Sequence, residues 1–223
     1  MGESAKILNP TKKVLLPDAE ADCAMAHMAS AKKVQEMREK YEDLAVVCYI
    51  NSTAALKTVS DVCVTSSNAV KIVKALPNKN IFFIPDENLG SYVAKQVPEK
   101  NILLNDGYCP VHKKITVETV RQTKAKYPQV EFLAHPECTE EILAEADFIG
   151  STSDIIGYAE KSSKKEFLIG TEDGVFAELM KKCPEKSFYS VMRGQCCADM
   201  KKVTLEKVRD CLKEEKYEVE ITE

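Results

Sequence analysis

Three cysteines at matched positions are the residues of this 223-residue chain whose type and spacing best suit metal binding. Cys23 precedes Cys109 by 86 positions, Cys197 follows it by 88, and each comes after a strand-like run that ends in a polar turn. Thiolates are soft ligands that favour zinc or iron-sulfur clusters. Three ligands leave one coordination position open, where a metal can polarise a substrate oxygen. The alternative is three core cysteines whose spacing is a coincidence.

A second group, His135-Pro136-Glu137, follows another strand-like run, so that both polar side chains can reach the loop beyond it. The carboxylate of Glu137 could act as a general base, and the imidazole of His135 could bind or protonate a substrate. The sequence leaves a plainer role open, in which Glu137 caps a helix that begins near Thr139.

Polar residues also mark other loops that follow predicted strands. Hydroxyl and backbone N–H groups at helix starts bind phosphate or carboxylate well, although ordinary helix capping uses the same residue types. Tyr49 and Asn51 stand 86 positions before His135 and Glu137, and their polar ends suit substrate contact, although an Asx turn at Asn51 would look the same. The hydroxyl residues at predicted helix starts are Ser66, Ser67, Ser151 and Thr152.

The elements that must position these residues form an internal repeat. Matching positions 86 apart include Tyr49-Ile50-Asn51 with His135-Pro136-Glu137, Asp61 with Asp147, Pro85-Asp86 with Thr171-Glu172, and Pro98-Glu99-Lys100 with Pro184-Glu185-Lys186. A period of this length suits a small α/β domain used more than once. Arranged around a pseudo-threefold axis, each repeat would offer one cysteine to a common centre.

Apolar runs that alternate with helical patterns predict βαβ units and parallel sheets. Ligands of such sheets bind beyond the carboxyl ends of the strands, where the polar turns fall. The predicted strands are Leu44 to Ile50, Val62 to Val64, Ile81 to Ile84, Ile102 to Leu104, Val130 to Ala134, Phe148 to Ile149, Phe167 to Ile169 and Phe188 to Val191.

The predicted fold is α/β, with repeated three-layer αβα domains, parallel sheets and a pseudo-threefold arrangement in which one domain is largely missing. Residues 25–110 and 111–197 form the two full repeats, and residues 1–24 are the remnant of a first domain that residues 198–223 complete. In these end segments we expect strands at Val14 to Leu16 and Tyr217 to Ile221, and an amphipathic helix from Lys201 to Lys213.

Composition excludes several classes of protein. A hydrophobic content of 44% and a charged content of 30% are ordinary for a globular protein. No apolar run approaches the roughly 20 residues that span a bilayer, and the N-terminus lacks an apolar signal core, so we expect a cytoplasmic protein with no membrane partner. A net charge of -4 without a Lys/Arg stripe argues against nucleic acid as a partner.

Nine cysteines without a secretion signal favour reduced thiols over disulfides. Free cysteine behaves as a small buried hydrophobe, which is the role expected of Cys48 and Cys63 in strand-like runs and of Cys183 and Cys211 in helical patterns.

Taken together, the motifs resemble those of quinolinate synthase from about Ala5 to Val208. That family has three similar αβα domains around a central [4Fe-4S] cluster held by one cysteine from each domain. It condenses iminoaspartate with dihydroxyacetone phosphate to make quinolinate for NAD synthesis. The motifs are Pro17-Asp18 to Cys23, Tyr49-Ile50-Asn51, Thr65 to Ala69, Ile84-Pro85-Asp86 with Leu89-Gly90, Gly107 to His112, His135 to Cys138, Gly150 to Ser153, and Cys197 to Lys201.

The resemblance implies that Cys23, Cys109 and Cys197 ligate the cluster and leave its fourth iron open to substrate. Cys197 is preferred to Cys196 because it stands three residues before Met200, as in the family motif. It also implies catalytic roles for Glu137, His135 and Tyr49. The implied substrate-binding residues are Tyr49, Asn51, Ser66, His135, Glu137, Ser151 and Thr152.

The sequence departs from the family in three places. The N-terminal domain with its His-Tyr-Tyr strand has no counterpart, Asp22 replaces a usual glycine, and Asn105 replaces a frequent tryptophan. We therefore expect cluster binding with an incomplete substrate pocket, and either self-association or a partner chain that supplies the missing domain. The resemblance also implies a functional link to L-aspartate oxidase or aspartate dehydrogenase. The alternatives are a non-catalytic cluster-binding protein and a zinc protein with a structural site.

Overall fold

Two parallel β-sheets of four strands each form the framework of the chain in a computed structural model that describes residues 1–221. The first sheet contains β1 (Leu44–Tyr49), β2 (Val62–Val64), β3 (Asn80–Ile84) and β4 (Asn101–Leu104) in the order β2-β1-β3-β4. The second contains β5 (Glu131–Ala134), β6 (Phe148–Ile149), β7 (Glu166–Gly170) and β8 (Ser187–Ser190) in the order β6-β5-β7-β8.

Helices connect the strands and cover both sheets. Short 3-10 helices at Ala24–His27 and Met200–Lys202 complete the set. The α-helices are α1 (Gly2–Leu8), α2 (Ala31–Lys40), α3 (Ala54–Thr58), α4 (Ala69–Ala75), α5 (Glu87–Gln96), α6 (Pro110–Lys113), α7 (Val117–Lys126), α8 (Glu140–Leu143), α9 (Thr152–Lys161), α10 (Val175–Lys182) and α11 (Leu205–Glu214).

Burial on both faces explains why the inner strands β1, β3, β5 and β7 contain continuous apolar runs. In β1, Val47 and Tyr49 pack into one core cluster, while Val46 and Cys48 pack into a second cluster on the opposite face. The second sheet is likewise packed between two apolar clusters. A sheet between two helical layers is a three-layer αβα sandwich, so the predicted α/β class with parallel sheets is confirmed.

The two sheets repeat in detail as well as in strand order. Asp61 accepts a hydrogen bond of 2.6 Å from the backbone N–H of Val46, and Asp147 accepts one of 2.7 Å from that of Phe132. The two donors, Val46 and Phe132, are 86 positions apart, and so are the two acceptors, Asp61 and Asp147. All eight predicted strands are present, with their ends shifted by no more than one residue.

The end segments differ from the prediction. Val14 to Leu16 and Tyr217 to Ile221 do not form strands; Leu15 and Glu218 instead make a single antiparallel bridge, so the two segments pair with each other. The reason is the backbone at Tyr217, where φ is +59° and an extended run is interrupted.

The predicted helix from Lys201 to Lys213 is also shifted. Thr204 caps α11 by accepting a hydrogen bond from the N–H of Lys207, so the helix begins at Leu205, after the separate 3-10 helix. None of the helices in residues 1–221 is both long and apolar enough to cross a membrane.

Candidate functional site

The candidate site lies where parallel strands end, which is where ligands of such sheets bind. Tyr49 is the last residue of β1, His135 follows β5 directly, and Thr171 follows β7 directly. Cys109 caps the N-terminus of α6, and His112 lies within that helix, one turn later. The fold thereby brings residues from both sheets to one centre.

A buried carboxylate forms that centre. Glu137 is 4% exposed, and its Oε1 accepts a hydrogen bond of 2.6 Å from the hydroxyl of Tyr49. Its Oε2 lies 3.1 Å from Nδ1 of His112, and Oε1 lies 3.9 Å from Nδ1 of His135. Burial alone would raise the pKa of Glu137, but the His112 imidazole and the Tyr49 hydroxyl outweigh it and hold that pKa below its usual range. Glu137 is therefore ionised.

The plainer role for Glu137 as a helix cap is not the one observed. Helix α8 begins at Glu140 with Thr139 as its N-cap, and the Glu137 carboxylate points to Tyr49 instead. Within residues 1–221, neither Asn51 nor Thr152 joins the hydrogen bonds and ion pairs of this carboxylate.

His135 is neutral and has a defined tautomer. Burial lowers its pKa to about 4, more strongly than the Glu137 carboxylate raises it. Its Nδ1 accepts a hydrogen bond of 3.3 Å from the backbone N–H of Glu137. Because Nδ1 is the acceptor, the proton of the neutral ring is at Nε2.

Tyr49 is held in its neutral form. Burial and the negative charge of Glu137 raise the pKa of Tyr49 well above its ordinary value, although the nearby Ser66 hydroxyl acts in the opposite direction. Tyr49 therefore keeps its hydroxyl proton at neutral pH and donates a hydrogen bond to Glu137.

His112 is a residue of this centre that the sequence analysis did not select. Its Nε2 lies 3.0 Å from Oγ1 of Thr171, and its ring stacks on that of His135 with centroids 5.1 Å apart. A signal was available, because His112 stands three positions after Cys109 and such a spacing places two side chains on one face of a helical turn.

The three predicted cysteines occupy similar turns. The backbone N–H of Cys109 donates to Asp86 at 3.2 Å, and that of Cys197 donates to Glu172 at 3.1 Å. Asp86 and Glu172 are themselves 86 positions apart. At Cys23 the same role falls to the adjacent Asp22, whose Oδ1 accepts the Cys23 N–H at 2.7 Å.

Asp86 is a second buried acid of this region. Burial, followed by the Glu137 charge, raises the pKa of Asp86 to about 7. Besides holding the Cys109 turn, it caps α5 by accepting a hydrogen bond of 2.7 Å from Leu89. Asp86 therefore ties the cysteine turn to the helix that follows β3.

The donor chemistry fits an iron-sulfur cluster. Cys23, Cys109 and Cys197 are half-buried free thiols, and Cys23 and Cys109 pack against the same core cluster. Burial raises the pKa of both, that of Cys109 to about 12, so a bound metal must displace the thiol proton. The backbone N–H of Cys197 bonds to Glu172, and the preceding residue, Thr171, contacts His112. These two contacts link Cys197 to the centre. Cys196, by contrast, is exposed.

The predicted hydroxyl residues divide into two groups. Ser66, Ser67 and Ser151 line one cavity of about 210 Å³. Ser66 and Ser67 lie in the turn before Asn68, the N-cap of α4, and not at the helix start itself as predicted. Ser151 also caps α9 by accepting a hydrogen bond of 3.3 Å from the backbone N–H of Asp154, and its hydroxyl donates to the Asp154 carboxylate at 2.6 Å. Thr152 is the exposed first residue of that helix. Asn51 lies half-buried in the bend after β1.

Comparison with known proteins gives one consistent result. The sequence model of the family described as "Quinolinate synthetase A protein" matches residues 1–223. The chain is 52% identical over 223 residues to "Quinolinate synthase" of Caldicellulosiruptor bescii and 55% identical to that of Fusobacterium nucleatum, covering 100% of this chain and 74% of each relative. It is 47% identical to "Quinolinate synthase 2" of Methanosarcina acetivorans, covering 72% of that relative. The chain belongs to the quinolinate synthase family.

Proposed function

We propose that the protein is a quinolinate synthase of de novo NAD biosynthesis, which condenses iminoaspartate with dihydroxyacetone phosphate. Its [4Fe-4S] cluster would be held by Cys23, Cys109 and Cys197. The observation that carries the proposal is the ionised Glu137, whose carboxylate, with the Cys109 thiol and His112, forms a group within 4.8 Å. A base beside a metal ligand can move protons on a substrate bound to that metal.

Glu137 and His135 carry out the proton transfers, one as acceptor and the other as donor. When bound, the cluster supplies an open iron that acts as a Lewis acid on a substrate oxygen. Glu137 accepts a proton at Oε2, because Oε1 is occupied by the Tyr49 hydroxyl. His135 donates a proton from Nε2, because its Nδ1 accepts the N–H of Glu137. Burial of these groups excludes water and strengthens their electrostatic effect on the substrate.

Two anionic substrates need hydrogen-bond donors, which side-chain hydroxyl groups and the N–H groups at the start of α9 provide. We assign the carboxylate and phosphate groups to Ser66, Ser151 and Thr152, with Asn51 and Tyr49 as further substrate contacts. The cavity shared by Ser66 and Ser151 supports this assignment. Since Asp154 already accepts from Ser151, the substrate must displace that carboxylate to use the Ser151 hydroxyl.

The proposal extends to the surroundings of the enzyme. Quinolinate synthesis implies a cytoplasmic protein supplied with iminoaspartate by an enzyme that oxidises aspartate, such as L-aspartate oxidase or aspartate dehydrogenase.

We further propose the division into repeats at residues 25–110 and 111–197, because the two sheets fall within these limits.

The test is reconstitution with iron and sulfide under anaerobic conditions, followed by metal analysis and an assay with both substrates. We expect a brown protein with about four irons per chain and quinolinate formation in the presence of any polypeptide needed to complete the site. Stoichiometric zinc without iron would disprove the cluster. Four irons without turnover would favour the second candidate, a cluster-binding protein that has no catalytic activity.

A further inference from the structure

A compact set of three metal-binding side chains lies within the site and differs from the three-cysteine set. The thiol of Cys109, the imidazole of His112 and the carboxylate of Glu137 each place one ligand atom so that all three atoms lie within 4.8 Å of one another. Among residues 1–221 this is the one group of three or more potential ligands at that spacing. Two of the three residues are buried and Cys109 is half-buried.

His112 carries an unpartnered nitrogen that points into this set. Nδ1 is buried and has no hydrogen-bond partner, although Oε2 of Glu137 is 3.1 Å away. The hydroxyl of Thr171 can accept a proton from Nε2, 3.0 Å away, which leaves the lone pair of Nδ1 free for a metal. This second contact is the kind that orients a metal-binding histidine and fixes its tautomer.

The other two ligands are oriented as well. The Tyr49 hydroxyl occupies Oε1 of Glu137 and leaves Oε2 free. Asp86 holds the backbone N–H of Cys109 at the start of α6, one turn before His112. Tyr49 and Thr171 therefore orient the Glu137 carboxylate and the His112 ring, and Asp86 positions the backbone that carries the Cys109 thiol.

The spacing suits one small ion. Nitrogen and oxygen ligands about 2.05 Å from a tetrahedral zinc ion lie about 3.3 Å apart, close to the 3.1 Å between Nδ1 of His112 and Oε2 of Glu137. Thiolate, imidazole and carboxylate are all zinc ligands, and three protein ligands with an open fourth position are the pattern of non-structural zinc sites.

We propose that Cys109, His112 and Glu137 bind a single divalent transition-metal ion, with zinc favoured, when the cluster is absent. The ion site uses Cys109, so an ion bound there excludes the cluster; this exclusion rests on the proposed function, whereas the ion site itself does not. Cys23 and Cys197 are not ligands of the ion. The consequence is that zinc competes with iron-sulfur assembly through one shared thiolate.

The test uses Co²⁺ as a spectroscopic substitute for zinc, added to the full chain after reduction and chelator treatment under anaerobic conditions. We expect one Co²⁺ per chain, a thiolate charge-transfer band, and displacement by Zn²⁺. Cys109→Ser should abolish the band, and His112→Gln and Glu137→Gln should each weaken binding by about tenfold or more. Thr171→Val should weaken binding by about 10- to 100-fold, the usual effect of losing an outer contact of a metal ligand.

Three variants serve as controls. Cys23→Ser and Cys197→Ser should bind Co²⁺ like the unmodified chain, although the proposed function requires that both lose the cluster. His27→Gln alters an exposed histidine next to a cysteine turn and should have no effect. Loss of the cobalt band in either cysteine control, or unchanged binding in His112→Gln and Glu137→Gln, would overturn the ion site.

X-ray absorption of the zinc-loaded unmodified chain provides a test that does not depend on the folding of variants. One sulfur at about 2.3 Å with nitrogen and oxygen at about 2.0–2.1 Å is expected, and three sulfurs would overturn the proposal. The two proposals can fail separately. Three sulfurs around zinc in a chain that assembles the cluster would remove only the ion site, and the expected cobalt pattern in a chain that never assembles a cluster would remove only the proposed function.

Discussion

The hydroxyl of Tyr49 and Oε1 of Glu137 are 2.6 Å apart, and this hydrogen bond joins the last residue of β1 to the loop after β5. The two residues are 88 positions apart, and Glu137 lies beyond a strand of the other sheet. Because both groups are buried, the bond both stabilises the contact between the sheets and helps to keep Glu137 ionised.

Replacing Tyr49 by Phe should therefore destabilise the protein and raise the pKa of Glu137. Hydrogen bonds to charged groups contribute about 1.5–3 kcal/mol, and the buried carboxylate would lose its closest donor. Urea unfolding measures the loss. Tyr158→Phe is the matched control, since its hydroxyl bonds to Glu131 at 3.1 Å on a more exposed surface and should cost less. Equal losses in the two variants would contradict the special role of Tyr49.

Glu137→Gln should keep the fold and the cluster but lower turnover by about 10² or more, because general acid-base catalysis typically contributes that much. Turnover is measured on reconstituted protein with both substrates. Glu140→Gln is the control, because Glu140 lies nearby at the start of α8 but pairs with Lys95 through an exposed ion pair. Unchanged turnover in Glu137→Gln would make that residue merely structural.

Alanine at Cys23, Cys109 or Cys197 should abolish cluster retention, since each removes one thiolate ligand. Iron content and visible absorbance report the result. Cys196→Ala is the neighbouring control: a colourless Cys196→Ala beside a brown Cys197→Ala would show that the ligand is Cys196. Cys138→Ala is an intermediate case, because Cys138 adjoins Glu137 and can affect turnover without binding iron. Alanine should change only stability at the buried thiols Cys48, Cys183 and Cys211. The prediction that Cys63 is buried was wrong, because β2 lies at the edge of its sheet and leaves this thiol exposed, so alanine there should have little effect.

Local patterns were sufficient to predict the strands, because burial on both faces requires apolar runs that are visible in the sequence. The matched loops were also visible, since Asp86 and Glu172 repeat with the cysteines that they hold. The contact between His112 and Thr171 was not visible, because the two residues are 59 positions apart and only the folded chain brings them together. The predicted strand from Tyr217 to Ile221 is interrupted by a left-handed backbone at Tyr217, which the residue types there did not indicate.

The buried, neutral His135 predicts a loss of stability in mild acid for the metal-free protein. Its folded pKa of about 4 lies below the ordinary value of 6.5, so the unfolded chain binds a proton between these pH values and the folded chain does not. The contribution of His135 to stability is thus complete above pH 6.5 and falls as the pH decreases towards 4, by at most about 1.4 kcal/mol per pH unit. The raised pKa of Asp86 acts in the opposite direction over this range, so the effect of His135 is the difference between the unmodified protein and a His135 variant. Urea unfolding at pH 7 and pH 5 should show a smaller decrease in His135→Asn, whose side-chain oxygen can replace Nδ1 as an acceptor. Equal decreases in both proteins would contradict the prediction.

Exposed apolar side chains predict that a polypeptide of these 223 residues associates with itself or with a partner chain. Among residues 1–221, nine of the eleven large exposed hydrophobic residues lie within residues 1–8 and 200–221, including Leu205 at 80% and Leu212 at 66% exposure on α11. Such a concentration marks an interaction surface. Light scattering should show an assembly larger than a monomer, and lysine at Leu205 and Leu212 should shift it towards the monomer. Lysine at Met180, which is 57% exposed but lies outside these segments, should leave the assembly unchanged.

A polypeptide of these 223 residues alone should synthesise quinolinate only weakly until a second chain covers its exposed apolar surface. The chain aligns with 74% of its relative from Caldicellulosiruptor bescii, so a polypeptide of these residues alone supplies fewer groups to orient two anionic substrates. Lost orientation can raise a barrier by several kcal/mol, about 7–11 at the extreme, and water that enters the site weakens the remaining contacts. Adding a polypeptide that corresponds to the remainder of a relative should restore turnover without changing the iron content. Full turnover from a monodisperse monomer of these 223 residues would contradict the prediction, because it would require the site to be complete without any added chain.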